Sequence, residues 1–195
     1  MADDELLDVV GPDGSPTGVR KARSAVHRDG DWHVCFHLWV TTGDGVLLQR
    51  RARTKAAWPG RLDATAAGHL TTGEAVADGL REVEEELGVR YAMGDLRDLG
   101  VHRVDEPTRR GGRNRELQHV FAVRDARPLA EWTRFDRVEL DGLVAVRSAE
   151  FATLVAGRPV DGRTWDGERE REVVIDPDEL VPTPYLPDLV PALTA

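Results

Sequence analysis

Cysteine is almost missing from this chain. Cys35 stands alone among 195 residues, so no internal disulfide can form. Stability must come from a packed core, and a chain of this length is long enough to bury one. Long apolar runs are missing too: none approaches the roughly 18 residues of a membrane helix. The acidic stretch 1–7 lacks the basic-then-apolar layout of a secretory signal. A cytoplasmic location with no membrane partner is therefore expected. There is no excess of positive charge, and a net charge of -9 argues against binding to a nucleic acid polymer. No internal repeat or low-complexity tract is present, and 41% hydrophobic with 31% charged residues is a globular composition. Cys35 lies in an apolar, strand-like run and reads as a small buried hydrophobe rather than a nucleophile.

Positive charge is scarce overall but clustered. Arg20, Lys21, Arg23, His27 and Arg28 form one group, Arg50, Arg51, Arg53 and Lys55 a second, and Arg109, Arg110, Arg113 and Arg115 a third. Such patches around an acidic centre suit a small polyanion held next to a metal. The acidic centre is the run Arg81-Glu82-Val83-Glu84-Glu85-Glu86-Leu87-Gly88-Val89. Leu80, Val83 and Leu87 recur at helical spacing, and Gly88 is the expected stop. Glu82, Glu85 and Glu86 then share one face of the helix, where like charges repel. A divalent cation over that face relieves the repulsion, and carboxylate oxygens are the donors that Mg²⁺ and Mn²⁺ prefer.

The remaining pattern predicts alternating strands and helices. Strands are expected at 6–10 and 19–26, joined by the Gly-Pro-rich turn 11–16 into an N-terminal hairpin spanning about 5–28. The run 33–42 carries apolar residues on both faces and reads as a central strand. A hairpin turn at 43–45 leads into a strand at 46–49, and 62–67 leads into the loop before the helix, which is expected over about 75–87. Further strands are expected within 89–104, at 116–123 and at 142–146. A helix is expected at 148–156 with Ser148 as N-cap, followed by a loop or hairpin at 157–172 and a short terminal helix among the prolines. Together these suggest a layered α/β domain covering 1–195, with a C-terminal extension at about 131–195. His37 and His119 read as strand fillers rather than ligands.

Upstream of the acidic helix, Gly68-His69-Leu70-Thr71-Thr72-Gly73-Glu74 is a glycine-flanked loop. With Arg81, Glu82, Val83, Glu85, Glu86, Gly88 and Val89 it resembles the Nudix box. The chain departs from the box in having six residues, not seven, between Glu74 and Arg81. The resemblance implies an α/β/α sandwich with a mixed β-sheet, and a metal-dependent hydrolase of a nucleoside diphosphate derivative or similar organic diphosphate. The metal residues it implies are Gly68, through its carbonyl, with Glu82, Glu85 and Glu86. Glu116 and His69 are further candidates, and Mg²⁺ or Mn²⁺ is the expected cofactor. Arg81 would orient a box carboxylate, and Glu85 and Glu116 compete for the role of general base. Arg51, Lys55 and Arg113 would bind phosphates, and Trp58 would stack on a leaving group or pack in a turn.

The first 122 residues are also similar to type I isopentenyl-diphosphate isomerase, through Gly14-Ser15-Pro16-Thr17-Gly18, Arg50-Arg51-Ala52, Lys55, Trp58-Pro59-Gly60 and Gly68-His69. That resemblance implies a metal held by histidines and glutamates, with His27, His33, His69 and Glu116 on or near those positions. Ala67 stands where the isomerase carries its catalytic cysteine, and alanine cannot move a proton at an allylic carbon. Hydrolysis is therefore expected over isomerisation, with a non-catalytic nucleotide-binding module as a further alternative. The extension supplies a substrate wall or a homodimer contact, and its Pro184–Pro187 segment is expected to pack on its own domain.

Overall fold

The computed structural model describes residues 5–108 and 111–195. Arg109 and Arg110 of the third basic cluster lie outside the described residues. A hairpin of β1 (Leu6–Val10) and β2 (Pro16–Ala22) opens the chain and is followed by α1 (Arg23–Asp29). The central run becomes β3 (Trp32–Thr41), and β4 (Gly45–Arg51) returns from the hairpin turn. Two short strands, β5 (Leu62–Asp63) and β6 (Ala66–His69), precede a 3₁₀ turn (Val76–Gly79) and α2 (Leu80–Leu87). Next come β7 (Arg97–Pro107), β8 (Arg113–Arg124), β9 (Leu140–Arg147) and α3 (Ser148–Val155). The chain ends in a hairpin of β10 (Val160–Trp165) and β11 (Glu170–Ile175), then α4 (Leu186–Leu193).

The strand β3 is the hub. It runs parallel to β8 over its whole length and antiparallel to β4 and β6, with β1 at its start. A strand buried on both faces needs apolar residues at every position, which is what marked 33–42 in the sequence. Side chains alternate across the sheet. Phe36, Leu38 and Val40 point to one face, where they meet Val83 and Leu87 of α2. Trp39 points to the other, where Phe151 and Leu154 of α3 and Leu186, Leu189 and Leu193 of α4 close a second core. The result is an α/β/α sandwich around a mixed sheet. The strand β9, within the segment expected as an extension, pairs with β4 along the sheet's middle.

Two local expectations are corrected. The strand expected at 19–26 ends at Ala22, and the chain turns into α1, with Val26 as its one buried residue. Lys21 holds Asp31 at 2.5 Å and Asp29 at 3.0 Å, which ties the end of β2 to the residues that close α1. Ser148 does not cap α3. Its N–H continues the sheet ladder by donating to Asp44 at 2.9 Å, and Arg147 takes the capping position with no side-chain bond. The terminal hairpin and α4 follow expectation. Tyr185 and Leu186 are buried against their own domain, as expected for Pro184–Pro187.

Candidate active site

The acidic helix begins one turn later than its sequence suggests, because 76–79 winds as a 3₁₀ turn. A 3₁₀ turn takes about 3.0 residues against 3.6 for an α turn. This tighter turn absorbs the residue missing between Glu74 and Arg81. Arg81 Nε donates to Glu74 Oε1 at 3.0 Å, and Glu74 Oε2 accepts from the Thr71 N–H at 2.7 Å. The same guanidinium donates to Glu82 Oε1 at 2.9 Å and Glu85 Oε2 at 2.8 Å. Arg81 therefore holds three carboxylates in one fan. Gly88 ends the helix in the left-handed region at φ 67.

The helix presents Glu82 and Glu86 to β6. A Cβ on Gly68 would lie 2.1 Å from Glu82 Cδ, so only glycine lets the carboxylate lie against the strand. Glu86 is buried and accepts from the Ala67 N–H at 3.1 Å. Burial pushes Glu86 up to about 8, against the Ala67 hydrogen bond. Burial also pushes Glu82 up to about 6, against the pull of Arg81. Two carboxyl groups packed this closely resist ionisation without a cation, and with one they become ligands. Glu85 is the exposed member of the set, with 55% of its side-chain surface open.

Glu116 and His69 belong to a second group. The register puts His33 opposite Glu116 and Cys35 opposite His69, on one face of β3. The helix α1 brings His27 over them. One ligand atom from each of His27, His33, His69 and Glu116 lies within 4.8 Å of the others. His33 Nδ1 is 3.3 Å from the Asp31 carbonyl, and His33 Nε2 and His69 Nε2 are buried with no hydrogen-bond partner. A protonated Nδ1 donating to a carbonyl leaves the Nε2 lone pair free, as in metal-bound histidines. Burial lowers His27 to about 4 and His69 to about 3, so both are neutral near pH 7. Burial would raise Glu116, but His33 and His69 outweigh it and hold the carboxyl well below the usual range. Orphaned imidazole nitrogens facing a carboxylate make a donor set that fits a transition-metal ion.

Glu116 also accepts from Gln118 Nε2 at 2.5 Å, and Asn114 interacts with His27. Sequence reading missed both, because a polar residue on a strand gives no periodic signal. Cys35 is buried, and burial with the Glu116 charge pushes its thiol well above its ordinary range, which makes it a poor nucleophile.

The expected phosphate-binding residues each have a partner. Arg51 Nη1 is 3.1 Å from Asp63 Oδ2, and the charge of Arg51 also acts on Glu86. Lys55 pairs with Glu139, and Arg113 Nη2 is 2.6 Å from Asp105 Oδ1 at the start of β8. Trp58 has φ 51 and lies under the Arg61 guanidinium, 5.2 Å from its ring centroid. No helix among the described residues is long and apolar enough to cross a membrane.

The NUDIX domain model matches residues 31–164. An uncharacterized Nudix hydrolase of Clostridium acetobutylicum is 30% identical, with 94% of this chain and 93% of that protein covered. An isopentenyl-diphosphate Delta-isomerase of Corynebacterium diphtheriae is 34% identical, with 85% of this chain and 91% of that protein covered. Among solved structures, DR0079 of Deinococcus radiodurans superposes at a TM-score of 0.65 with 18% identity, covering 98% of this chain and 100% of that one. A MutT protein of Methanosarcina mazei gives 0.54 with 14% identity, over 85% and 94%. These two share the fold. Together with the box carboxylates gathered at β6, the domain match places this chain in the Nudix hydrolase family.

Proposed function

We propose that the protein hydrolyses a diphosphate bond in a nucleoside diphosphate derivative or similar organic diphosphate, using Mg²⁺ or Mn²⁺ at the box. The supporting observation is the packing of Glu82 and Glu86 against Gly68 and Ala67, where burial penalises both charges and Arg81 reaches only Glu82. Glu82, Glu86 and the Gly68 carbonyl would hold the main ion, and Glu85 a second ion or its water shell. A bound divalent cation neutralises diphosphate oxygens and acidifies the attacking water.

The chain's own groups supply the rest. Arg81 orients Glu82 and Glu85. Glu85 is the more accessible general base, because Glu116 is enclosed by histidines and engaged by Gln118. Arg51, Lys55 and Arg113 would exchange their carboxylate partners for phosphate oxygens, as charge-assisted donors. Trp58 would border the leaving group. His27, His33, His69 and Glu116 would hold a separate transition-metal ion.

A second reading, an isomerase-like enzyme, draws on that histidine–glutamate group. Ala67 opposes it: its methyl group shares a face with His37 and offers no proton. The test is incubation with nucleotide and prenyl diphosphates, with Mg²⁺ or Mn²⁺ and with chelator, followed by mass spectrometry. Metal-dependent cleavage is expected. Allylic rearrangement without cleavage would favour the isomerase, and tight binding without turnover would favour a binding module.

A further inference from the structure

Gln118 is a polar residue in a core position. It follows Glu116 by two places on β8, so both side chains stand on one face of the sheet, and the next on that face, Val120, is fully buried. Cys35 of β3 pairs with Gln118 in register and is buried too. A side chain in that row would ordinarily be apolar. Gln118 is buried with only half of its amide satisfied: Nε2 donates to Glu116 Oε2 at 2.5 Å, while Oε1 has no hydrogen-bond partner. A buried amide with an unpaired oxygen weakens a core. What the residue contributes is therefore the contact it does make, and that contact is to a member of the histidine group.

The contact divides the two oxygens of Glu116 between two tasks. Oε2 is taken by Gln118. Oε1 is 3.7 Å from His33 Nε2 and 3.6 Å from His69 Nε2, too far for a hydrogen bond to either. Both Nε2 atoms are buried and unpartnered. The three atoms thus face one another across a gap rather than bonding together. Two donors that each lie about 2.0–2.1 Å from one ion are roughly 3.4 Å apart at the tetrahedral angle, and roughly 2.9 Å apart when adjacent in an octahedron. The spacing here is on the tetrahedral side. With His27, the group offers three imidazole nitrogens and one carboxylate oxygen.

We infer that Gln118 is a positioning residue for the histidine group: by occupying Glu116 Oε2 it limits the carboxylate to one donor oxygen, and so selects a four-coordinate ion of the Zn²⁺ type over Mg²⁺. This rests on the reading that the histidine group holds a transition-metal ion. Zn²⁺ takes four nitrogen or oxygen donors in a tetrahedron, and imidazole suits it. Mg²⁺ demands an octahedron of oxygens. A carboxylate can bind through one oxygen or both, so a Glu116 free to offer both would add a fifth donor and loosen the preference. Hydrogen bonds to a ligating carboxylate also keep it aimed at the ion. The box, built from oxygens alone, suits Mg²⁺ or Mn²⁺, and Gln118 keeps the histidine group for a different ion.

The test uses Co²⁺ as a stand-in for Zn²⁺, because its visible absorption is strong when four-coordinate and weak when six-coordinate. It is made on the full chain carrying Glu82→Gln, which weakens competition from the box, with and without Gln118→Met. Methionine keeps the length of the side chain and removes the amide. Gln118→Leu is the second variant should methionine disturb the fold, and melting of the metal-free proteins checks both. The Glu82→Gln protein is expected to show the strong spectrum, lost when Zn²⁺ is added and kept when Mg²⁺ is. Gln118→Met is expected to weaken the band towards that of a higher coordination number. It should also lower Zn²⁺ affinity, read by calorimetry, about 10- to 100-fold, with melting unchanged or raised. An unchanged spectrum, or a loss of affinity without spectral change, would overturn the role of Gln118 and leave the histidine reading standing. A weak spectrum in the Glu82→Gln protein would do the same. If that protein binds no Co²⁺, or binds it equally after His69→Ala, the histidine reading falls and the inference with it.

Discussion

Gly68 and Glu82 are in contact so close that a single added carbon would separate them: a Cβ on Gly68 would lie 2.1 Å from Glu82 Cδ and 2.5 Å from its Oε1. The glycine that opens the box and the first glutamate of its helix are thus two halves of one ligand arrangement. Sequence shows them fourteen positions apart, and the packing of α2 against β6 brings them together.

Gly68→Ala follows directly. The backbone at Gly68 lies outside the left-handed region, so alanine is compatible with the chain path. What must move is the Glu82 carboxylate. Metal affinity and kcat/KM should fall by about 10- to 100-fold, the range for losing the support of a ligand. Thermal melting of the metal-free protein should change little. Unchanged metal affinity, measured by calorimetry, would show that Glu82 does not need this seat.

Glu86 sets a pH dependence with a definite sign. Its carboxyl is raised from 4.5 to about 8 by burial, so the metal-free fold keeps a proton that the unfolded chain has lost. Between those values the unfolded state binds fewer protons, and the metal-free protein should lose stability as pH rises through that window. A cation taking the carboxylate displaces the proton. Loading with Mn²⁺ near pH 7 should therefore release protons, seen as a buffer-dependent heat in calorimetry. Glu86→Gln should abolish that share of the release, and an unchanged release would contradict the assignment.

The histidine group behaves in the opposite sense. His27 and His69 are lowered from 6.5 to about 4 and about 3 by burial. Their contribution to stability is complete above 6.5 and is lost as pH falls through the folded values. A transition-metal ion held there should survive gel filtration at pH 7 and leave on acidification toward pH 4. His69→Ala should lose the ion, while Glu82→Gln should retain it. Metal analysis of the two variants separates the sites, and loss from both would merge them into one.

Ala67→Cys should restore no isomerase by itself. Cysteine at 67 would face His37, whose own partner across the sheet on β8 is the apolar Val120. Deuterium exchange into isopentenyl diphosphate, followed by NMR, should remain at background in this variant. Exchange above background would revive the isomerase reading.

Much of this arrangement was legible in the chain because its signals are local. Apolar residues on both faces of 33–42 marked the hub strand, and helical spacing with Gly88 marked α2. The box glutamates share a face by periodicity alone. The features that escaped depend on long-range packing. The segment after Ala22 turns helical with only Val26 to bury, and its ends are fixed by Lys21 and its aspartates. Glu116 was a candidate both for the box and for a histidine site, and sequence alone did not choose; parallel pairing with β3 sets it opposite His33, within the histidine group. Tyr185 and His37 are 148 residues apart in sequence, and nothing near either one announces the other.

The central claim is that Glu82 holds the cation that activates diphosphate cleavage. The most direct measurement is kcat/KM of Glu82→Gln against wild type with saturating Mg²⁺, on the diphosphate that wild type cleaves best, with thermal melting in parallel. The account predicts a loss of about a thousandfold, roughly 4 kcal/mol of transition-state stabilisation, in a protein that melts as wild type does. A variant that is equally well folded and retains full turnover would contradict it.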